Sequence, residues 1–234
     1  MTKVKFLYFW LFIALGIVTV AFNSCGNASE QKENALKQEE SLNNSDNPSN
    51  DEGVIINGVK WATRNVAAPG TFAAKPEDSG MFYQWNRKKA WPTTGDVTGW
   101  NEGFYKTPIG TTWEKSNDPS PAGWRVPTIE ELQKLLDTNK VSRVRTTQNG
   151  IDGRIFTDKA TGKDIFLPTV AGGRRGYNHM FVTTFVSVGS GIYWSSTRQG
   201  DGTGFMIVPT NKLLNCAIGM GDHNEGHSIR PVAD

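Results

Sequence analysis

The chain has 234 residues, 37% of them hydrophobic and 21% charged, which allows one or two domains with a sizeable core. The net charge of +2 divides unevenly: Lys3 and Lys5 give the leader +2, seven acids and two lysines give residues 26–52 a charge of −5, and the rest is left with +5. That basic bias is too small and too scattered for a nucleic-acid binder, and two cysteines, Cys25 and Cys216, exclude a thiolate metal centre.

The first predicted element is a leader. Lys3 and Lys5 precede an uncharged apolar run from Phe6 to Phe22, the arrangement of a secretory signal. An uncleaved spanning helix is the competing reading, but it needs about 20 apolar residues. The run ends in Ala21-Phe22-Asn23-Ser24-Cys25, which resembles the lipobox of bacterial lipoproteins, although Phe22 stands where that family usually has Leu. The resemblance implies that residues 1–24 are a removed signal peptide. It also implies that Cys25 carries lipid and that the protein is held at the outer membrane or cell surface. Several acyl chains anchor a protein where one is marginal. Cys216 is then a lone thiol, predicted to be a small buried apolar residue.

Residues 26–52 are rich in Glu, Asn, Ser and Gln, with Leu36 and Leu42 as the only large apolar side chains. They cannot bury enough surface to offset ordering, so the lipidated cysteine and this segment, residues 25–52, are predicted to form a flexible tether. Residues 53–234, which hold seven of the eight tryptophans, form the folded domain.

That domain opens with Val54-Ile55-Ile56-Asn57-Gly58-Val59-Lys60-Trp61, a hairpin signal because both turn positions of Asn-Gly accept positive φ. Met81–Trp85 reads as a strand, and residues 87–121 as ordered loop. Thr128 and Glu131 have capping-box spacing, and Ile129, Leu132, Leu135 and Leu136 then share one helical face, predicting a helix that ends before Val141. Arg154–Thr157 and Asp164–Leu167 flank a second hairpin turn at Lys159–Gly162. Ile192–Thr197, Phe205–Val208, Leu213–Ile218 and Ser228–Val232 follow as strands between Gly-rich turns. One helix among short-linked strands means an α+β fold with antiparallel pairing.

Three segments together carry a family resemblance: Gly58–Asn65; Pro121-Ala122-Gly123-Trp124-Arg125-Val126-Pro127-Thr128 with Glu131-Leu132; and Gly191-Ile192-Tyr193-Trp194-Ser195-Ser196-Thr197 with Ser228-Ile229-Arg230-Pro231-Val232. Their order resembles the Fibrobacter succinogenes major paralogous domain, common in lipoproteins of the Bacteroidetes. The C-terminal domain of Legionella collagen-like proteins shares the second and third segments. The resemblance spans residues 54–234 and implies a C-type-lectin-like fold: a twisted antiparallel sheet, one or two helices and long loops. It implies that Trp124, Trp194 and Tyr193 sit in the core, that Arg125 braces loops, and that ligands meet the variable loops.

Calcium-dependent sugar binding in that fold uses Glu-Pro-Asn or Gln-Pro-Asp, neither of which occurs; Trp100-Asn101-Glu102 is a loose echo of its third motif. Asp222-His223-Asn224-Glu225-Gly226-His227 gathers metal-ligand types, but its glycines predict a polar turn, and no metal or cofactor is expected. Gly172–His179 is the segment of most interest. Arg174 and Arg175 among glycines can approach anions, and Tyr177 and His179 add stacking and polar contacts, a chemistry suited to sulfated or uronic polysaccharides; the alternative is a structural loop whose arginines pair with acids of the same domain. Formylglycine-forming enzymes of a related fold need paired cysteines, which the mature chain lacks. No catalytic set stands out, so the expected function is a non-enzymatic binding or adhesion module for glycan or another extracellular macromolecule. The other reading is an accessory subunit of a surface or pilus assembly.

Overall fold

The computed structural model describes residues 50–95, 97–100, 110–169, 189–200, 202–211 and 213–234, and the backbone of 174–177 and 183–186. Asn57 and Gly58 take φ of 47° and 77°, so β1 (Val54–Ile56) and β2 (Val59–Trp61) close as the expected hairpin, with Ile56 opposite Val59. At its far side β2 pairs with β15 (Val232–Ala233), which pairs in turn with β5 (Trp124–Arg125). Sequence-distant ends of the domain thus share one sheet.

The helix α1 (Ile129–Leu136) starts where the capping box predicted. The Thr128 hydroxyl accepts the Glu131 amide, and the Glu131 carboxylate accepts the Thr128 amide. It buries Ile129, Leu132 and Leu135 in an apolar cluster that also takes side chains from β2, β7 (Ile151–Asp158), β8 (Asp164–Pro168), β11 (Ser190–Gln199) and β12 (Gly202–Pro209). A second apolar cluster stacks Trp85, Trp113, Trp194, Phe205 and Ile229. A third, with Phe82, Trp91 and Trp100, packs part of the stretch read as ordered loop, which contains the short strand β4 (Ala90–Trp91) and one 3-10 turn, Lys115–Asn117.

Three further sheets are present among the described residues. One runs β10 (Thr183–Val186), β9 (Arg174–Tyr177), β14 (Gly226–His227), β3 (Phe82–Gln84), β4. Another runs β11, β12, β13 (Ala217–Gly221), and the last β6 (Val141–Gln148), β7, β8. All ladders are antiparallel, with one isolated parallel bridge, Tyr193 to Ser228. The architecture is α+β: mostly antiparallel sheet with a single short helix among the described residues.

The backbone and burial depart from expectation in several further places. β6 was not anticipated, yet it pairs with β7 over eight residue pairs around Asn149 and Gly150, both at positive φ. β13 begins at Ala217, leaving Leu213 and Leu214 exposed on a turn. Asp51, placed by composition in the tether, is buried; its carboxylate accepts the amides of Gly53 and Thr63, the Thr63 hydroxyl and Arg64 Nε. Arg174–Tyr177 is strand rather than loop, held between β10 and the Gly226 position of β14. Residues Leu42–Asp234 form one compact unit.

Trp194 and Tyr193 are core residues, as expected. Burial pushes the Tyr193 phenol up to about 12. Arg230, fully enclosed, donates to Asn65 Oδ1 at 2.8 Å and to the Ala62 and Pro76 carbonyls, and burial lowers its pKa to about 10. It ties β15's approach to the loop after β2, a scaffold role.

Candidate functional site

The Pro121–Thr128 segment does more than lead into the helix. Gly123, at φ 80°, lets the chain turn, and the Trp124 amide closes onto the Pro121 carbonyl at 3.0 Å. The Asp118 carboxylate then accepts the amides of Ser120 (2.8 Å) and Val126 (2.9 Å), which stiffens the loop. Because β5 is an edge strand, Trp124 is only half-buried, not in the core as the resemblance implied. Its ring packs edge-on against Phe72 at 5.6 Å, and Lys60 Nζ lies 5.8 Å from its centroid.

In front of Trp124 lies a cleft of about 630 Å³. Trp113 and Lys115 form one wall, Lys88 reaches it from the β3–β4 connection, and Ser196 comes from β11. The walls are tied by backbone: Trp113 N donates to Ser196 O at 3.0 Å, and Ser196 N to Pro127 O at 2.7 Å. Asn86 Oδ1 accepts the Glu114 amide at 2.8 Å, and Trp113 Nε1 donates to Asn117 O at 3.0 Å, so the loop carrying Lys115 is held at both ends.

Arg125 also lines the cleft, but its guanidinium is committed. Nη2 and Nη1 donate to Glu131 Oε1 and Oε2 at 2.7 and 2.8 Å, and that pairing holds the Arg125 pKa above its ordinary value. It braces the loop onto the helix, as expected. Lys88, Lys115, Asp118 and Asp234 all line the cleft, leaving it polar and close to charge-balanced; Ser196 lines it too, while the Ser120 hydroxyl is buried and the Thr128 hydroxyl caps the helix. The arrangement sets an indole face beside charged and polar side chains, so it can offer stacking and hydrogen bonding to one occupant.

The residues singled out from sequence lie elsewhere. Arg174, Arg175 and Tyr177 are on β9, while His179 and the Asn101-Glu102 pair lie outside the described residues. The pairing of Gly226 with Arg175 does bring the two flagged segments side by side in one sheet. Asp222–Glu225 makes the predicted turn, with Glu225 N donating to Asp222 O at 3.0 Å, but Gly226 and His227 belong to the buried strand β14 and not to a polar loop. Its His227 is wholly buried, 4.2 Å from the Trp194 ring and 5.1 Å from Phe205, with Nε2 3.2 Å from Glu225 Oε2. Burial lowers the pKa of His223. Among the described residues, no three His, Cys, Asp or Glu side chains gather as a metal site. Cys216 is buried, as expected, and burial raises its thiol pKa.

Sequence reasoning missed the cleft because its walls come from four separate stretches joined only by folding. The readable signal was Trp124 itself, a large indole beside a positive-φ glycine in a two-residue strand. Comparison with known proteins adds nothing to the geometry: no known family, no curated protein and no solved structure matches the chain.

Proposed function

We propose that this protein is a lipid-anchored, cell-surface binding module that takes saccharide in the Trp124 cleft and carries out no chemistry on it. The single observation that carries the reading is that cleft of about 630 Å³, where a half-exposed indole stands beside Ser196 and two lysines on braced walls. The charged leader, the apolar run and Cys25 support export and lipidation. A C-type-lectin-like fold is supported by the antiparallel sheets, the single helix, the long tryptophan-packed loop and the pairing of β2 with β15. Arg174, Arg175, Tyr177 and His179 stay in this reading as contacts for acidic groups on a longer glycan.

The test is a glycan array probed with Leu42–Asp234, with and without calcium, beside the Trp124→Ala variant. Calcium-independent binding that weakens at least about tenfold in the variant, a loss of ~1.4 kcal/mol, is the expected result. Silence across the array, or binding indifferent to Trp124, overturns the reading and directs attention to a protein partner.

A further inference from the structure

The turn between β12 and β13 presents two leucines to solvent: Leu213 is 82% and Leu214 56% exposed. Cys216, two residues on, is back in the core. Nothing loose holds the leucines out. Leu213 N donates to Asn211 Oδ1 at 2.9 Å and Leu214 N to Asn211 O at 3.2 Å. Beneath the turn the buried Arg154 donates to the carbonyls of Pro209, Asn211 and Leu214 at 3.1, 3.0 and 2.7 Å. The turn satisfies its backbone inward and offers its side chains outward.

Arg154 also lines a groove of about 490 Å³ with Arg143, Val144, Arg145, Thr146 and Thr147 of β6. Arg145 lies opposite Arg154 in the ladder, and Arg143 shares the Arg145 face by strand alternation. Among the described residues, Arg154's hydrogen bonds all go to carbonyl oxygens and none to a carboxylate. One carboxylate, Asp152, lies 2.9 Å from Arg145 and also accepts the Thr147 hydroxyl. The face is therefore basic, and it adjoins the leucine tip through a single shared side chain.

We infer that this tip and groove form a membrane-docking surface, the leucines entering the acyl boundary of a bilayer while Arg143 and Arg145 meet anionic lipid phosphates. Apolar side chains at a rigid tip beside guanidinium groups suit the interface between lipid tails and headgroups. A soluble polyanion uses the arginines and gains nothing from the leucines, so the paired features select the lipid surface. Docking there lays the domain against a bilayer, independent of lipid on Cys25 and of the Trp124 cleft.

The test is flotation of Leu42–Asp234, which lacks the leader and Cys25, with vesicles of phosphatidylcholine with or without phosphatidylglycerol. Binding to the anionic vesicles is expected. The Arg143→Gln/Arg145→Gln variant is expected to weaken it roughly thirtyfold, about fivefold per arginine near an anionic leaflet. Leu213→Ser/Leu214→Ser should abolish it, with the single Leu213→Ser as a second variant should the double one lose its circular dichroism signature. No flotation with anionic vesicles overturns the inference, and so does flotation unchanged by both sets of variants. Capture by a sulfated polysaccharide in solution with vesicle binding indifferent to the leucines also overturns it and makes the groove a polyanion site.

Discussion

Replacing Glu131 by alanine removes three hydrogen bonds at once. Glu131 Oε1 accepts Arg125 Nη2 at 2.7 Å, and Oε2 accepts both Arg125 Nη1 and the Thr128 amide at 2.8 Å. Loss of half a capping box costs about 0.5–1 kcal/mol, judged from N-cap substitutions. The ion pair is partly solvated, with side-chain exposures of 36% for Arg125 and 17% for Glu131, so its contribution is discounted to about 1 kcal/mol. The sum, about 2 kcal/mol, lowers the melting temperature of a domain this size by roughly 4–8 °C.

The assay is a thermal-unfolding cycle on Leu42–Asp234 with Arg125→Ala, Glu131→Ala, Glu131→Gln and the double alanine variant. A coupling of about 1 kcal/mol is expected, and Glu131→Gln, which keeps an acceptor for the Thr128 amide, should lose about half as much as Glu131→Ala. The pH dependence is a second reading. Burial pulls the Glu131 pKa upward, but the Arg125 guanidinium and the Thr128 amide together hold it below its ordinary 4.5. The pair's stabilisation is therefore complete above about pH 4.5 and is lost as pH falls through the lowered folded value. Glu131→Gln should flatten that part of the acid limb. Additive single and double losses, or an acid limb unchanged in the variant, refute the reasoning.

Trp194→Ala should cost about 3–5 kcal/mol, because the ring is fully buried and its Nε1 donates to Tyr83 O at 2.7 Å; an unchanged denaturation midpoint contradicts the burial. Starting the chain at Gly53 instead of Leu42 removes Asp51 and strands Arg64, whose side chain is only 10% exposed; chemical denaturation should register a loss of about 3 kcal/mol, and equal stability rules out Asp51 as part of the fold. Gly153→Ala places a Cβ 2.2 Å from Phe166 Cζ and 2.6 Å from the Leu167 carbonyl, so calorimetry should show a loss of about 1–3 kcal/mol from overpacking between β7 and β8, and a neutral result contradicts that close approach.

What was legible in the sequence was local chemistry. Asn57-Gly58 and the Thr128–Glu131 box declare themselves because every atom that matters lies within a few residues. Asn149-Gly150 carries the same turn signal, but Ser142, Arg143, Thr146 and Thr147 hide the strand: β6 has almost no apolar alternation, since β7 supplies Phe156 to the core for the pair. Leu213 and Leu214 mislead in the opposite sense. Their hydrophobicity reads as strand, while Asn211 and the distant Arg154 set them in a turn. Asp51 is invisible for a third reason: its composition is that of the tether, and apart from the Gly53 amide the groups that claim it, Thr63 and Arg64, lie a dozen residues on.

The same division bears on where specificity resides. The Pro121–Thr128 and Gly191–Thr197 segments are joined directly: Ser196 N donates to Pro127 O, and the Thr197 hydroxyl accepts the Ile129 amide at the helix start. Arg125 is consumed by Glu131, and Asp118 by two backbone amides. Those groups shape the cleft without being free to choose its occupant. The groups left to meet a ligand are the Trp124 face, Ser196, Lys88 and Lys115. A scaffold that spends Arg125 and Asp118 internally makes one braced indole wall, so under the proposed function exchange of the two lysines should alter which glycans an array retains, while exchange of Arg125 should lower the melting temperature of the domain instead.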